Sequence, residues 1–139
     1  MSDVEAITQL VMAYAERIDG GDLDGVAAMF AHATWRAEAT GQVLQGVEEV
    51  RRVYDRVVLY DGVPRTKHLI TNLVIDVDGT TATGRMSFTV LQGVDAGQPI
   101  QIILSGRYHD AYEKVDGTWR FADRCFIADL IGDQSRHYR

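Results

Sequence analysis

Cysteine is nearly missing from this chain: Cys125 stands alone among 139 residues. One thiol cannot close an internal disulfide, so nothing in the sequence calls for an oxidising compartment. Positive charge is short as well. Lys and Arg number 14 against 20 Asp and Glu, and the formal charge of −6 speaks against a nucleic-acid groove or an anionic membrane surface as the partner. No apolar run approaches the ~18 residues of a membrane-spanning helix, and the opening MSDVEAITQL lacks a basic stretch followed by an apolar one. A soluble cytoplasmic protein is the expectation. The glycine patterns of dinucleotide and P-loop sites are absent, as are HExxH and GxSxG, so neither nucleotide binding, a metal site nor a serine nucleophile elbow is expected. Repeats, low-complexity tracts and linkers are lacking too.

What is present is ordinary globular composition, 46% hydrophobic and 24% charged. A chain of this length reads as one domain, residues 1–139, that buries roughly two-thirds of its unfolded surface. The core is expected over about 4–131, with a polar, mobile tail from Gly132.

The first third is helical. Val4, Ile7, Leu10, Val11, Tyr14 and Ile18 recur at spacings of three and four, and Ser2 or Asp3 caps the start. Gly20-Gly21 ends this helix, and Asp22 caps a short second one holding Leu23, Val26, Ala27 and Phe30. Asp19 is therefore an acid at a helix C-terminus, where cations are preferred, so it calls for a reason. A weak hairpin carrying Trp35 turns at Thr40-Gly41. Gly46 then opens a third helix whose apolar side holds Val47, Val50, Val53, Tyr54, Val57 and Val58.

The rest is strand. Thr66–Gly79 is rich in apolar residues and closes on an Asp-Gly turn, and side-chain alternation puts His68, Ile70, Asn72 and Val74 on one face. Ala82–Leu91, Ile100–Glu113 and Trp119–Ile131 follow, with a second Asp-Gly turn at Asp116-Gly117. Helices followed by hairpin-linked strands indicate an α+β fold: three N-terminal helices packed on a curved, mostly antiparallel sheet, forming a cone with an apolar interior.

Several segments carry a further pattern: Tyr14, then Asp19-Gly20-Gly21-Asp22, Ala27 to Phe30, Trp35, Gly46, Lys67-His68, Asn72, and Gly117 to Phe121. From about residue 4 to residue 130 the chain resembles the SnoaL-like family of the nuclear-transport-factor-2-like superfamily. It looks closest to the branch of scytalone dehydratase and hexachlorocyclohexane dehydrochlorinase. That resemblance implies catalysis without a cofactor by an aspartate–histidine pair, matched here by Asp19 and His68. It also implies a pocket role for Arg124 and a homo-oligomer, most simply a dimer. The outward strand faces, with Ile103, Ala122 and Phe126, agree with an oligomer. His32 stands where relatives commonly carry an acid, and it has no assigned role. Ring-hydroxylating dioxygenase β subunits resemble the same fold and are largely structural.

The residues allow two functions. In the first, neutral His68 takes a proton from carbon while Asp19 holds the other ring N–H. This makes a dehydratase-type lyase or an isomerase acting on a small, largely apolar metabolite such as a polyketide, steroid or aromatic compound. Tyr14, Tyr54, Asn72 and Arg124 are then the candidate polar contacts, and Trp35, Phe88 and Phe126 the cavity lining. In the second, the cone binds a ligand or serves as a structural subunit without catalysis. His109 and His137 read as surface residues.

Overall fold

A computed structural model describes residues 1–139. Helix α1, Asp3–Asp19, starts at a reciprocal cap in which the Ser2 hydroxyl accepts from the Glu5 amide and the Glu5 carboxylate accepts from the Ser2 amide. Its apolar stripe buries Ile7, Val11, Tyr14 and Ile18. The helix stops where the Gly21 amide donates to Ile18 and the Asp22 amide to Arg17, each at 2.9 Å, which turns the chain sharply after Asp19. Gly21 has φ +79°, and a Cβ there would lie 1.9 Å from the Gly62 carbonyl oxygen. Only glycine fits this corner, and the close approach seats it against the loop that leads into the first long strand.

Helix α2, Leu23–Ala28, is capped by the Asp22 carboxylate, which accepts from the Gly25 amide at 2.9 Å. Strands β1 (Thr34–Ala37) and β2 (Gln42–Gln45) form the hairpin. Helix α3 covers only Gly46–Arg51, and a 3-10 turn follows at Arg52–Tyr54, so the third helix is shorter than its valine spacing suggests. Beyond the turn the backbone pairs elsewhere: the Val58 amide donates to the His137 carbonyl at 2.8 Å, and Val57 bridges to Tyr138. Tertiary pairing with the C-terminus displaces the helical pattern there.

Four long strands complete the chain: β3 (Thr66–Asp78), β4 (Thr81–Gln92), β5 (Gln101–Val115) and β6 (Thr118–Ile131). The sheet is curved and unclosed, in the order β2-β1-β6-β5-β4-β3, and all its pairings are antiparallel except β1 with β6. The expected α+β cone is present. In β4 the alternation holds as read, since Ala82, Gly84, Met86, Phe88 and Val90 all point inward. A core of 22 buried residues lies between this face and the helices. No helix is long and apolar enough to cross a membrane.

Two irregularities change which side chains face that core. The β3–β4 register shifts between Thr71 and Val74, and Asn72 sits there with φ +54°. A bulge advances the side-chain parity by one. His68 and Ile70 are partly buried as expected, but beyond the bulge it is Leu73 and Ile75 that are partly buried, while Asn72 and Val74 are exposed. On β6, Tyr112 pairs with Phe121 and Ala111 with Asp123, which makes Ala122 the extra residue and turns Arg124 into the core.

The C-terminal segment is docked, contrary to the expectation of a mobile tail. The Arg139 amide donates to the Arg56 carbonyl at 3.0 Å, and Arg56 Nε returns a bond to the Arg139 carbonyl at 2.6 Å. Tyr60 and Gln92 both donate to the Arg136 carbonyl. These bonds hold His137 and Tyr138 against Val57 and Val58.

Candidate active site

The corner at Gly20-Gly21 sets Asp19 beside the start of β3, which closes the 49-residue separation from His68. Asp19 Oδ1 lies 2.7 Å from His68 Nδ1 and accepts the Thr66 hydroxyl at 2.9 Å, while Oδ2 accepts the His68 backbone amide at 2.8 Å. Three donors converge on one carboxylate, which answers why an acid ends helix α1. Burial alone pushes the Asp19 carboxyl up. The hydrogen bond and charge of His68, its backbone amide and Thr66 outweigh that and hold it below the usual carboxylate range. Ionised Asp19 can only accept, so His68 carries its proton on Nδ1 and Nε2 is the free, basic nitrogen. Both side chains are largely shielded, at 12% exposure for Asp19 and 7% for His68.

His68 lines a cavity of about 100 Å³ together with Tyr14, Ile18, Trp35, Tyr54, Phe88, Tyr108 and Phe126. His137 and Tyr138 complete its wall. Trp35 stacks on Phe126 and Phe88 on Tyr108, with centroids 5.9 and 4.3 Å apart, so the walls are flat aromatic faces. The Tyr14 and Tyr54 hydroxyls share a hydrogen bond of 2.8 Å. Burial is the main cause that pushes Tyr54 and Tyr108 well above the ordinary phenol value and Tyr138 to about 12. These phenols therefore stay neutral and act as donors, not bases.

Five of the seven expected contact residues line this cavity: Tyr14, Trp35, Tyr54, Phe88 and Phe126. Asn72 and Arg124 do not. The β3 bulge exposes Asn72. Arg124 is wholly buried behind the wall, bidentate to Asp110 at 2.8 Å for both bonds, with its guanidinium 3.9 Å from the Tyr108 ring centroid and 4.3 Å from that of Tyr14. It braces the aromatic wall and does not form its surface. His32 and His109 are exposed.

His137 was missed. It is 5% exposed, not a surface residue, and Nδ1 has no hydrogen-bond partner. The polar run GDQSRHYR has no hydrophobic period to mark it, and the adjoining His-Tyr aromatic pair is the one local signal. Burial, with a smaller push from the His68 charge and an opposing pull from Asp19, lowers the His137 pKa from 6.5 to about 4. The groups around it are His68, Asp19, Tyr14, Tyr54 and its neighbour Tyr138. Docked, His137 stays neutral; released, it protonates near its ordinary pKa. A lowered folded-state pKa means docking is at full strength above pH ~6.5 and weakens as pH falls toward ~4. Amide exchange at Val58, Tyr138 and Arg139 is expected to speed up on the order of tenfold relative to its intrinsic rate between pH 7.5 and pH 5. In His137→Leu that extra dependence should vanish; the same dependence in both proteins would locate the switch elsewhere.

Comparison with curated proteins gives no significant match. Among solved structures, a protein of unknown function from Mycobacterium tuberculosis, determined with an aspartate replaced by asparagine, is 32% identical, with a TM-score of 0.76 over 93% of this chain and 73% of its own. A protein from Novosphingobium aromaticivorans, provisionally described as a scytalone dehydratase, is 24% identical over 94% of this chain and 87% of its own, TM-score 0.73. The β subunit of a provisionally described aromatic-ring-hydroxylating dioxygenase from the same organism is 21% identical over 91% and 89%, TM-score 0.71. These last two show the fold alone. The model of the SnoaL-like domain matches residues 1–125, and the chain belongs to that family.

Proposed function

We propose that the chain is a cytoplasmic, cofactor-free acid–base enzyme of lyase or isomerase type that acts on a compact, largely apolar substrate. One observation carries this reading: Asp19 holds His68 by Nδ1 at 2.7 Å and leaves Nε2 as an unprotonated nitrogen on a residue that lines an aromatic cavity. In the reaction Nε2 takes a proton from an activated C–H of the substrate. The released electron pair either expels a leaving group on the adjacent carbon, which is elimination, or moves into a conjugated oxygen and is reprotonated at another carbon, which is isomerisation. Asp19 stabilises the imidazolium formed in either case. The same proton abstraction exchanges α-hydrogens of small ketones for deuterium in D₂O, which NMR follows directly. His68→Ala should lose the protein-dependent exchange; exchange that survives in this variant would end the catalytic reading.

The second reading, a ligand-binding or subunit-type cone without chemistry, is favoured by the cavity's size. At about 100 Å³ it is smaller than the ~150 Å³ void that holds a benzene ring, so polyketide- or steroid-sized ligands do not fit it without a rearrangement of its walls.

A homodimer belongs to the same proposal, on different residues from those the sequence suggested. Ile103 is in the core and Phe126 lines the cavity. The exposed apolar residues at that end of the sheet are Ile100, Ile102, Leu130 and Ile131, at 63–72% exposure. Light scattering should give twice the 15.5 kDa chain mass at micromolar concentration, and Ile102→Lys/Leu130→Lys should halve it. A monomer at that concentration removes the proposal.

A further inference from the structure

The cavity holds polar atoms that the Asp19–His68 pair does not use. Two of its lining residues, Trp35 and His137, are 6% and 5% exposed, and Trp35 Nε1 and His137 Nδ1 make no hydrogen bond within the protein. The indole nitrogen can only donate, and a neutral imidazole always keeps one N–H. Buried polar atoms are nearly always satisfied, and both nitrogens belong to residues that line one cavity, so a group brought into that cavity is the partner the protein itself does not supply. The influences on His137 are burial and the charges of His68 and Asp19, with no hydrogen bond among them. Its ring packs at 4.4 Å against Tyr138, and its backbone is held by the Val58 amide, so its position comes from the docked C-terminal segment.

Resting on the acid–base reading of the site, we propose that His137 is a substrate-binding residue. Its neutral ring N–H donates to an oxygen of the substrate, so the substrate class is compact carbonyl or enol compounds and not hydrocarbons or halocarbons of the same shape. Three observations support this. Burial keeps the ring neutral, which suits a donor to an oxygen that gains negative charge as a proton leaves carbon. His137 and His68 line the same cavity, one brought there by the docked C-terminus and the other by the start of β3. The remaining lining is mostly apolar, so an acceptor inside it has few partners to choose from.

The test uses an isosteric pair of probes smaller than benzene, acetone and isobutene, which differ in a carbonyl oxygen against a methylene. Binding is followed by NMR on the isotope-labelled full chain. Wild type should bind the ketone at least roughly tenfold more tightly than the alkene, with a shift at the His137 ring nitrogens. In His137→Phe the preference should fall to about one while alkene binding persists, and His137→Gln, which keeps a donor, should retain part of it. If His137→Phe does not fold, His137→Leu is read in the same way. His109→Gln, an exposed histidine outside the cavity, is expected to keep the full preference. An unchanged preference in His137→Phe overturns the proposal, as does its loss in His109→Gln, or no binding of either probe by wild type. Because α-proton exchange is read separately in His68→Ala, failure here leaves the acid–base reading standing on its own result.

Discussion

Asp19→Asn is expected to cut α-proton exchange by roughly two to four orders of magnitude with the fold intact. The carboxylate now accepts three hydrogen bonds, from the Thr66 hydroxyl, the His68 amide and His68 Nδ1. An asparagine at the same place offers one oxygen and one NH₂. If the oxygen stays on the backbone amide, which cannot change its role, the NH₂ faces Nδ1 and requires that nitrogen to accept. The imidazole then carries its proton on Nε2, toward the cavity, and the base is lost although nothing has moved. The stabilising charge beside the imidazolium disappears as well. The ¹⁵N signature of His68 should switch from an Nδ1–H to an Nε2–H tautomer, and exchange should collapse in the same variant. If the tautomer switches and the rate stays within about threefold, Asp19 is a structural helix-end acid and the dyad is not the catalytic unit. The same carboxylate leaves a stability signature. Its folded-state pKa is lowered, so its contribution is present above the ordinary carboxylate range and is lost as pH falls through the lowered value.

The parts of this site differ in how far the sequence discloses them, and local backbone geometry explains the difference. Helix α1, the glycine corner and strand β4 follow from periodicity, because nothing interrupts their hydrogen-bond ladders. Asp19 stands out as an acid at the wrong end of a helix, but its partner 49 residues away came from a family resemblance and not from spacing. Asn72 was misplaced because a single extra residue in a strand inverts the parity of everything beyond it, and no side-chain pattern announces the insertion. The pocket role of Arg124 came from the family resemblance, and no spacing in the sequence marks its pairing with Asp110 behind the wall. His137 could not be placed because its burial comes from backbone pairing with Val57 and Val58, and those valines themselves read as helix. Strand and helix segments that satisfy their own backbone are legible; segments whose backbone is satisfied by a distant partner are not.

Behind the aromatic wall, removing one partner of the Arg124–Asp110 pair should be the most destabilising change outside the apolar core. Both side chains are 0% exposed. Arg124 donates Nε and Nη2 to the two carboxylate oxygens at 2.8 Å each, and Tyr112 donates to Oδ2 at 2.6 Å. Burial works against the guanidinium charge, but the Asp110 carboxylate outweighs it and keeps Arg124 protonated. In Asp110→Leu that charge would remain in a cage of Tyr14, Tyr108 and Phe121 with no counter-ion, a situation that costs about 3–5 kcal/mol. That is a large part of the ~5–15 kcal/mol that holds a domain together. Arg124→Met strands the carboxylate instead and should cost a similar amount. The double variant Asp110→Leu/Arg124→Met removes both charges and their desolvation, so it should recover most of either loss, leaving chiefly the unpaired Tyr112 hydroxyl. Urea denaturation of the four proteins closes the cycle. Additive losses, or single losses below about 1 kcal/mol, would mean that the aromatic cage and not the ion pair carries the stability. Because Tyr14 and Tyr108 both line the cavity and both lie against the guanidinium, the single variants should also loosen the wall facing His68 and lower α-proton exchange. The double variant, with its wall again packed on uncharged side chains, should return most of that exchange along with the stability.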